Sequence, residues 1–417
     1  MAQPRRWLRV ENAEEVSNAV GEALDLEARL RVVGSGHSFT SIAVANDVLV
    51  DISAVKAVGR VDPGTGEVEV GAGISIAELN VALHTQGRAL ANMGDIAYQS
   101  IAGAISTATH GTGVRHQGLA AQVCALTMVD GCGEIRRLSG DDAFRCAQVS
   151  LGAMGVITSV RLKTVPAFVL RAVEQPMEIE EVLDGLGGHV EANDHFEFFW
   201  IPHTRWALTK RNNRTDGPPK PMPAGKKWFQ KSFLENTAFG ALCRVGRMRP
   251  EWIPRLATAL PSTGTTTYSD HSHRIFASER RVKFLEMEYA IPIENCAEAL
   301  RQVRSVIDRR GFRVSFPVEV RFAAADDIPL STAYGRTTAY IAVHVFTGMN
   351  HAEYFRAVEG IMCSFGGRPH WGKMHFLGAE DLASSYAEWD LFDQVRRKFD
   401  PEEIFANDYT ARVLGSR

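Results

Sequence analysis

The sequence predicts an α+β protein in two parts, and three observations lead to this fold class. Up to about residue 166, short β-branched runs alternate with glycine-rich turns, which is typical of small sheets with tight connections. Farther along, apolar strands alternate with amphipathic segments such as Glu294–Arg309, which indicates an antiparallel sheet with helices on one face. With 417 residues, 45% of them hydrophobic, the chain is long enough for two or three hydrophobic cores.

The charge and the cysteine content exclude several classes of protein. The net charge of −3 gives no polyanion-binding signature, so no nucleic acid partner is expected. The six cysteines form no C-x-x-C pair and no zinc-binding spacing, which favours reduced, buried thiols and no metal site. The N-terminus has no apolar core of signal length, and no stretch reaches the ~20 apolar residues of a membrane span. We therefore expect a cytoplasmic protein.

The first informative stretch joins a strand to a glycine turn. A predicted helix over residues 14–30 leads into the apolar strand Leu30–Val33, and Gly34-Ser35-Gly36 then delivers His37. Glycine allows the positive φ angles of such a turn and lets a ligand approach the backbone closely. Successive backbone N–H groups can form an anion-binding concavity there. A histidine in a glycine turn is more often an ordinary surface residue, so this stretch alone leaves both interpretations open.

Short strands and helices follow, each bounded by turn or cap residues. Strands are predicted over residues 48–52, 57–61 and 67–70, with a hairpin turn over 62–66, and Ser75 is placed to cap a helix over 76–86. Farther along, the pattern predicts a second hairpin, a short helix and a glycine-led strand, over residues 123–138, 141–149 and 152–165.

A run of small residues over 100–113 is the second informative stretch. In a helix such a run permits close packing, whereas in a loop it can wrap a diphosphate. The second histidine beside glycine, His110, favours the loop. The dinucleotide fingerprint G-x-G-x-x-G is absent from both glycine pairs, at 71–73 and 111–113, so a Rossmann domain is disfavoured.

In the second part of the chain, the predicted strand 313–322 carries Glu319 and Arg321 on one face. Glu319 and Arg321 alternate, so both side chains point the same way while the apolar residues between them face the other way. A surface ion pair is the ordinary explanation of such a pair. His344, on the predicted strand 340–346, can join that face or serve as a core histidine.

The order of these pieces resembles the vanillyl-alcohol-oxidase superfamily. Residues 34–39, 100–113 and 152–157 resemble its FAD-binding half. Pro317-Val-Glu-Val-Arg-Phe322 and His370-Trp-Gly-Lys373 resemble the sugar-1,4-lactone oxidase branch, which includes gulonolactone, galactonolactone and arabinonolactone oxidases and has alditol oxidases as close relatives. Each segment alone is a weak signal, but all five in this order are highly specific.

The resemblance implies a domain organisation and a cofactor. We expect an FAD-binding domain of the PCMH type over residues 1–168, a substrate-binding cap domain over 169–385, and a C-terminal segment over 386–417 that returns to the FAD domain. His37 matches the position that is bonded to the flavin 8α-methyl carbon in this family. Neutral imidazole is a competent nucleophile, and with a reference pKa of ~6.5 much of it is neutral at physiological pH. Residues 92–113 contain no cysteine for a second bond, so a single attachment is expected.

The expected cofactor-binding residues lie in the glycine-rich segments and near the C-terminus. They are Val33, Gly34, Ser35, Gly36, His37, Ser38, Phe39, Gly94, Ser100, Gly103, Ser106, Ala108, Thr109, His110, Gly111, Thr112, Gly155, Val156, Ile157 and His370.

The implied reaction is the oxidation of a secondary alcohol in a sugar-1,4-lactone, of the L-gulono- or D-arabinono-1,4-lactone type, by hydride transfer to flavin N5. Lys373 is the candidate for a cation near flavin N1 and the C2 carbonyl, where reduced flavin carries negative charge. Arg321 would bind substrate oxygens, and Glu319 would hold a substrate hydroxyl or accept its proton. Ser100 and His344 complete the expected substrate-binding set. Electrons would pass to O2 or to another acceptor.

Two other functions stay open. One is an alditol oxidase acting on a xylitol- or sorbitol-type polyol, and the other is a flavin- or sugar-binding protein without turnover. In addition, residues 226–255 carry seven Lys/Arg against two Glu, with aromatic residues between them. A solvated helix or loop on the cap is the simpler explanation of this stretch, and a peripheral membrane contact is the alternative.

Overall fold

A computed structural model describes residues 4–258 and 264–416. The strands are β1 Arg6–Arg9, β2 Leu30–Val33, β3 Val48–Asp51, β4 Glu67–Gly71, β5 Arg88–Ala89, β6 Val123–Val129, β7 Ile135–Leu138, β8 Val156–Lys163, β9 Val165–Pro166, β10 Val169–Glu178, β11 His195–Trp200, β12 Trp206–Thr215, β13 Thr266–His271, β14 Phe284–Pro292, β15 Val318–Ala323, β16 Thr338–Phe346 and β17 Arg368–Pro369.

The helices are α1 Ala13–Asp25, α2 Ile76–Thr85, α3 Ile101–Ser106, α4 Asp142–Gln148, α5 Ile179–Asp184, α6 Leu186–Glu191, α7 Ala224–Lys227, α8 Phe239–Met248, α9 Ile253–Thr258, α10 Ser272–Phe276, α11 Cys296–Arg310, α12 Ala352–Ser364, α13 Ala379–Ala383, α14 Trp389–Phe399 and α15 Asp408–Leu414. A π-helical segment, Trp228–Ala238, joins α7 to α8. Ser75 begins α2 as predicted, because its side chain and that of Glu78 form a capping box.

In the described ranges, the N-terminal part contains three small sheets. One is parallel, with the strand order β1-β3-β2, and two are antiparallel, with the orders β4-β8-β6-β7 and β5-β9. The C-terminal segment packs on the same hydrophobic core, to which Phe392, Phe405 and Tyr409 contribute buried rings. The backbone N–H of Leu30 donates to the carbonyl oxygen of Ile404 over 2.7 Å. This contact brings the chain's last helices against the strand that leads into the first glycine turn.

The second part is built on an eight-stranded antiparallel sheet. Its strand order is β13-β10-β12-β11-β15-β16-β14-β17. Helices α11 and α12 cover one face, where Val318, Val320 and Phe322 of β15 pack into the core. The prediction of an α+β fold with helices on one face of an antiparallel sheet is confirmed, and the opposite face is left to the charged residues.

Some local predictions need correction. Residues 57–61 form one isolated bridge, between Val58 and Val70, instead of the predicted strand, and the Gly59 N–H beside it donates to the Glu69 carbonyl oxygen over 2.9 Å. The expectation of buried cysteines holds for Cys146, Cys243 and Cys296, whereas Cys132 and Cys363 are exposed and Cys124 is half-buried. All six are free thiols. In the described ranges, every helix is too short or too polar to cross a bilayer.

Candidate active site

The first glycine turn leaves a row of backbone donors unused. Among the described residues, none accepts a hydrogen bond from the backbone N–H groups of residues 34–38; the next one, from Phe39, goes to the carbonyl oxygen of Gly372 over 2.8 Å. Gly36 has a φ of +65°, and a Cβ there would meet open space, so the glycine serves the turn itself. The turn therefore offers successive exposed N–H groups to an anion, with His37 beside them.

The second glycine-rich run is half helix and half loop, which corrects the prediction of a loop throughout. Residues 101–106 form α3, because the Ser100 hydroxyl caps it by accepting from the Gly103 N–H over 3.3 Å. The loop begins at Thr107, and in the described ranges the N–H groups of residues 110–112 also lack an acceptor. Two runs of unpaired amides in one part of the molecule suit a diphosphate such as that of FAD.

At several positions in these runs, a glycine is required for a different reason from the one predicted. A Cβ at Gly34 would lie 2.0 Å from the Ser100 hydroxyl, one at Gly111 would lie 2.5 Å from the Met93 carbonyl oxygen, and one at Gly155 would lie 2.3 Å from that of Val129. Other atoms of the protein fill the space beside these glycines, so a larger residue would not fit there. These glycines therefore serve the packing of the two glycine-rich segments and do not make room for a ligand.

The expected cofactor-binding residues accordingly divide by exposure. The exposed ones are Ser35, Gly36, His37, Ser38 and Gly103, and the half-buried ones are Val33, Gly34, Phe39 and Ser106. The buried ones are Gly94, Ser100, Ala108, Thr109, His110, Gly111, Thr112, Gly155, Val156, Ile157 and His370.

The charged face of the large sheet begins with a group that we call the arginine cluster: Asp95, Glu197, Arg280, Glu319 and Arg321. Glu319 and Arg321 share a face of β15, as predicted, but they are only 4% and 9% exposed, which excludes a surface ion pair. Arg321 Nε donates to Glu197 over 2.9 Å, and Arg321 Nη2 lies 3.0 Å from Asp95 and also contacts Glu319. One guanidinium thus orients three carboxylates.

Arg280 completes this cluster from a loop. Its Nη2 lies 2.7 Å from Asp95 Oδ2 and 2.9 Å from Glu319 Oε2. Burial opposes the ionisation of Asp95, but Arg280 and Arg321 outweigh it and hold the pKa of Asp95 well below its usual range. Burial likewise opposes the charge on Arg321, yet its three carboxylate partners raise its pKa well above the usual value. Asp95 and Arg321 therefore stay ionised at physiological pH.

A second group, the lysine cluster, consists of Glu286, His344 and Lys373. The Lys373 ammonium contacts Glu286 Oε2, and His344 Nε2 lies 3.4 Å from the other oxygen. His344 Nδ1 donates to the Pro317 carbonyl over 3.0 Å, because a carbonyl oxygen can only accept. Burial disfavours the Glu286 carboxylate, but Lys373 and His344 overcome this and lower its pKa far below normal.

Lys373 links this cluster to the glycine turn. Its Nζ lies 5.1 Å from the centre of the Phe39 ring, within the range of a cation–π contact. Burial, and secondly the positive charge of Lys373, lower the pKa of His37. The motif near the C-terminus and the turn near the N-terminus therefore meet, as the resemblance requires.

A third group contains His110, Glu288 and His370. His110 Nε2 lies 3.2 Å from Glu288, and its ring stacks on Tyr340 with 3.4 Å between ring centres. Burial opposes the ionisation of Glu288, but the charge of His110 outweighs it and lowers the pKa of Glu288 to about 2. Burial lowers the pKa of His370 to about 4, so this ring is neutral.

These three residues offer ligand atoms within 4.8 Å of one another, a grouping that the sequence did not suggest. However, His370 Nδ1 accepts the Gly372 N–H over 3.1 Å, which leaves the proton of the neutral ring on Nε2. Neither nitrogen of His370 therefore has a free lone pair, because Nδ1 accepts a hydrogen bond and Nε2 carries the proton. The group of three residues does not suit a metal ion.

Sequence reasoning missed five charged residues of this face, namely Asp95, Glu197, Arg280, Glu286 and Glu288. Glu286 and Glu288 carried a usable signal, because two carboxylates at alternate positions of an otherwise apolar strand lie on one face, as Glu319 and Arg321 do. Glu197 gives the same signal in β11. Arg280 lies in a loop without a pattern, and only the fold brings it to Glu319.

Comparisons with known proteins agree with this geometry. Residues 4–139 match the FAD binding domain family, and residues 160–413 match the D-arabinono-1,4-lactone oxidase family. The L-gulono-1,4-lactone dehydrogenase of Mycobacterium tuberculosis is 45% identical over 413 residues, covering 99% of this chain and 96% of that protein. The L-gulonolactone oxidase of Bos taurus is 32% identical over 422 residues, covering 99% and 95%.

Among solved structures, a solvent-stable cholesterol oxidase superimposes with a TM-score of 0.85 at 18% identity, covering 98% of this chain and 94% of that one. Likeness at this identity concerns the fold alone. Together with the two sequence matches, it confirms the predicted FAD-binding part and the predicted family. The chain therefore belongs to the D-arabinono-1,4-lactone oxidase family and is an FAD-dependent oxidoreductase.

Proposed function

We propose that this protein oxidises a secondary alcohol of a sugar-1,4-lactone, of the L-gulono- or D-arabinono-1,4-lactone type, and that His37 binds its FAD covalently. The observation that carries the proposal is the meeting of three motifs at one place. Lys373 lies beside the turn that bears His37, and its ammonium contacts Glu286, which is on the same face of the large sheet as Glu319 and Arg321. Relatives named for gulonolactone and arabinonolactone support this class of substrate.

Each charged residue has a role in this proposal. The FAD, when bound, supplies the hydride acceptor. Arg321 holds oxygen atoms of the substrate through its guanidinium. Glu319 Oε1 contacts Arg321 but has no well-aligned hydrogen bond in the described part of the chain, so it is the acceptor for a substrate hydroxyl. Lys373 holds positive charge where negative charge develops, which counts more in a site shielded from water.

The covalent bond at His37 rests on the chemistry of its imidazole. The ring is exposed enough to reach a ligand, and its lowered pKa favours the neutral, nucleophilic form at physiological pH. We expect the flavin to stay with the purified chain through acid precipitation and a denaturing gel. In H37A all of the yellow colour should move to the supernatant. Flavin released from the wild-type protein would remove the covalent bond from the proposal.

The reaction is tested by stopped-flow bleaching of the flavin without oxygen, using a panel of 1,4-lactones and a panel of open-chain polyols. We expect a lactone to reduce the flavin faster than any polyol, whereas faster reduction by a polyol would support an alditol oxidase. Reoxidation in air, compared with reoxidation by a redox dye, then distinguishes an oxidase from a dehydrogenase. Failure of both panels would contradict the proposed function.

We further propose that the basic, aromatic segment 226–255 contacts an anionic membrane surface. Trp228, Phe229 and Phe233 are 62%, 48% and 38% exposed, and their rings stack on one another at the surface. Lysines precede them, and basic residues beside exposed aromatic rings suit a lipid interface. The measurement is sedimentation with anionic and with neutral liposomes. W228A/F229A should stay in the supernatant, and W7A, which removes a separate exposed tryptophan, should sediment like the wild type. Wild-type protein that stays in solution with both would exclude the contact.

A further inference from the structure

Arg280 has hydrogen-bond donors that the protein does not use. Its Nη2 is held between Asp95 and Glu319, yet within the described ranges neither its Nε nor its Nη1 meets an acceptor. The side chain is 25% exposed, and its guanidinium carbon lies 6.0 Å from the centre of the Phe199 ring. A guanidinium carries five N–H donors in a fixed plane, so the remaining three can reach a ligand.

The loop that carries Arg280 is fixed from two sides. Ser278 donates its backbone N–H to the Asp95 carbonyl over 3.0 Å and its hydroxyl to the Asp95 carboxylate over 2.9 Å. On the other side, the buried Asn236 donates to the Glu279 carbonyl over 3.0 Å and accepts the Arg281 N–H over 2.7 Å. The guanidinium is therefore preorganised, since binding a ligand requires no new ordering of the loop.

The donors and acceptors around Arg280 indicate which ligands it can bind. Glu319 is an acceptor between two guanidinium donors, Arg280 and Arg321. Neighbouring hydroxyl groups of a sugar both donate and accept, so they can bridge such an alternating set. The charge of Arg280 is already balanced by Asp95 and Glu319, which favours neutral hydroxyl and lactone oxygens over the carboxylate of an open aldonic acid.

We propose that Arg280 is a substrate-binding residue that selects neutral lactones with hydroxyl groups on adjacent carbons. This inference rests on the proposed lactone oxidation and adds a residue that lies outside the two motifs of the lactone-oxidase branch. Loss of hydrogen bonds from a charged donor predicts a rise of about 10- to 100-fold in the half-saturating lactone concentration. The limiting rate of flavin reduction should change by less than about threefold, because such a loss of uniform binding raises KM without changing kcat.

The experiment uses the flavin-loaded enzyme and the variants R280M, R280K and R281M. Arg281 is the matched control, because its exposed side chain pairs with Glu279 and, in the described ranges, with no residue of the arginine cluster. Anaerobic stopped-flow reduction by the most active lactone gives the limiting rate and the half-saturating concentration separately. Calorimetric titration of the dithionite-reduced enzyme with the same lactone gives a dissociation constant without turnover. A lactone that lacks one hydroxyl group tests selection.

We expect R280M to bind the lactone at least tenfold more weakly in both measurements and to lose most of its preference over the deoxy lactone. R280K should lie between R280M and the wild type, and R281M should match the wild type. Unchanged binding in R280M, or in R280K if R280M lacks flavin, would overturn the inference. An equal loss in R281M would also overturn it, since it would show a structural role of the loop. A wild-type enzyme that binds the lactone without oxidising it would contradict the proposed function, while the calorimetric comparison would still decide the role of Arg280.

Discussion

The arginine cluster and the lysine cluster lie on one face of the same sheet, yet they hold their charges in different ways. In the arginine cluster, two guanidiniums bind three carboxylates, and this pairing holds the pKa of Asp95 well below and that of Arg321 well above its usual value. In the lysine cluster, one carboxylate lies between an ammonium and a histidine. In the proposed function, the first cluster therefore holds the substrate in a fixed geometry, while the second places a positive charge beside the turn that bears His37.

The largest expected effect is that of R321K, which tests the fixed shape. Lysine keeps the positive charge but cannot reproduce contacts from Nε and Nη2 to three carboxylates. We expect kcat/KM to fall by about a thousandfold, which corresponds to about 4 kcal/mol. The loss should be the same from pH 6 to pH 9, as measured by steady-state kinetics, because the nearby arginines hold the pKa values of Asp95 and Glu197 below this range. A loss of less than tenfold would show that charge alone is sufficient.

K373M tests the other cluster and should have the next largest effect. Removing the ammonium leaves Glu286 buried without its main partner and removes the positive charge beside the turn. We expect the limiting rate of flavin reduction to fall by about a hundredfold, with the FAD content unchanged. Single-turnover reduction and the absorbance ratio of flavin to protein measure these two quantities. K56M, in an exposed ion pair with Glu78, is the control and should behave as the wild type. Equal reduction rates in K373M and the wild type would remove Lys373 from the mechanism.

The two clusters also show which features of the site could be predicted from the sequence. The alternation of Glu319 and Arg321, the glycine turn before His37 and the capped helix α2 depend on neighbours in sequence, and each could be predicted. The partners of these residues could not, because Glu197 is 124 residues from Arg321 and Glu286 is 87 residues from Lys373. Likewise, the sequence favours ligand contacts at the glycines 34 and 111, whereas in the fold other protein atoms occupy the position that a Cβ would take.

A smaller effect, on the free energy of unfolding, should distinguish the groups that titrate between pH 6.5 and pH 4 from those that keep their charge. Burial lowers the pKa of His370 to about 4 and that of His375 to about 3. A histidine whose pKa is lowered in the folded state stabilises the fold above its unfolded pKa of ~6.5 and loses that contribution as the pH falls toward the folded value. The free energy of unfolding should therefore fall from pH 6.5 to pH 4, with a slope of at most about 1.4 kcal/mol per pH unit for each histidine.

H375Q is the variant that checks this, because His375 lies outside the proposed substrate-binding set. Urea unfolding at several pH values should give a shallower slope than that of the wild type, by up to about 1.4 kcal/mol per pH unit. R321K should keep the wild-type slope over the same range, since a guanidinium does not titrate there. An unchanged slope in H375Q would mean that this histidine is protonated in the folded state.

The smallest expected effect is that of F39L, which tests whether the position of the Lys373 ammonium depends on the Phe39 ring. The ammonium lies 5.1 Å from the centre of the Phe39 ring while it contacts Glu286. Cation–π contacts contribute about 0.5–1 kcal/mol at exposed sites, so leucine should slow flavin reduction by about two- to fivefold. F39Y keeps a ring and should retain nearly the full rate, as measured by single-turnover reduction. A hundredfold loss in F39L would instead match that of K373M and would mean that the ring, rather than Glu286, fixes the position of the ammonium.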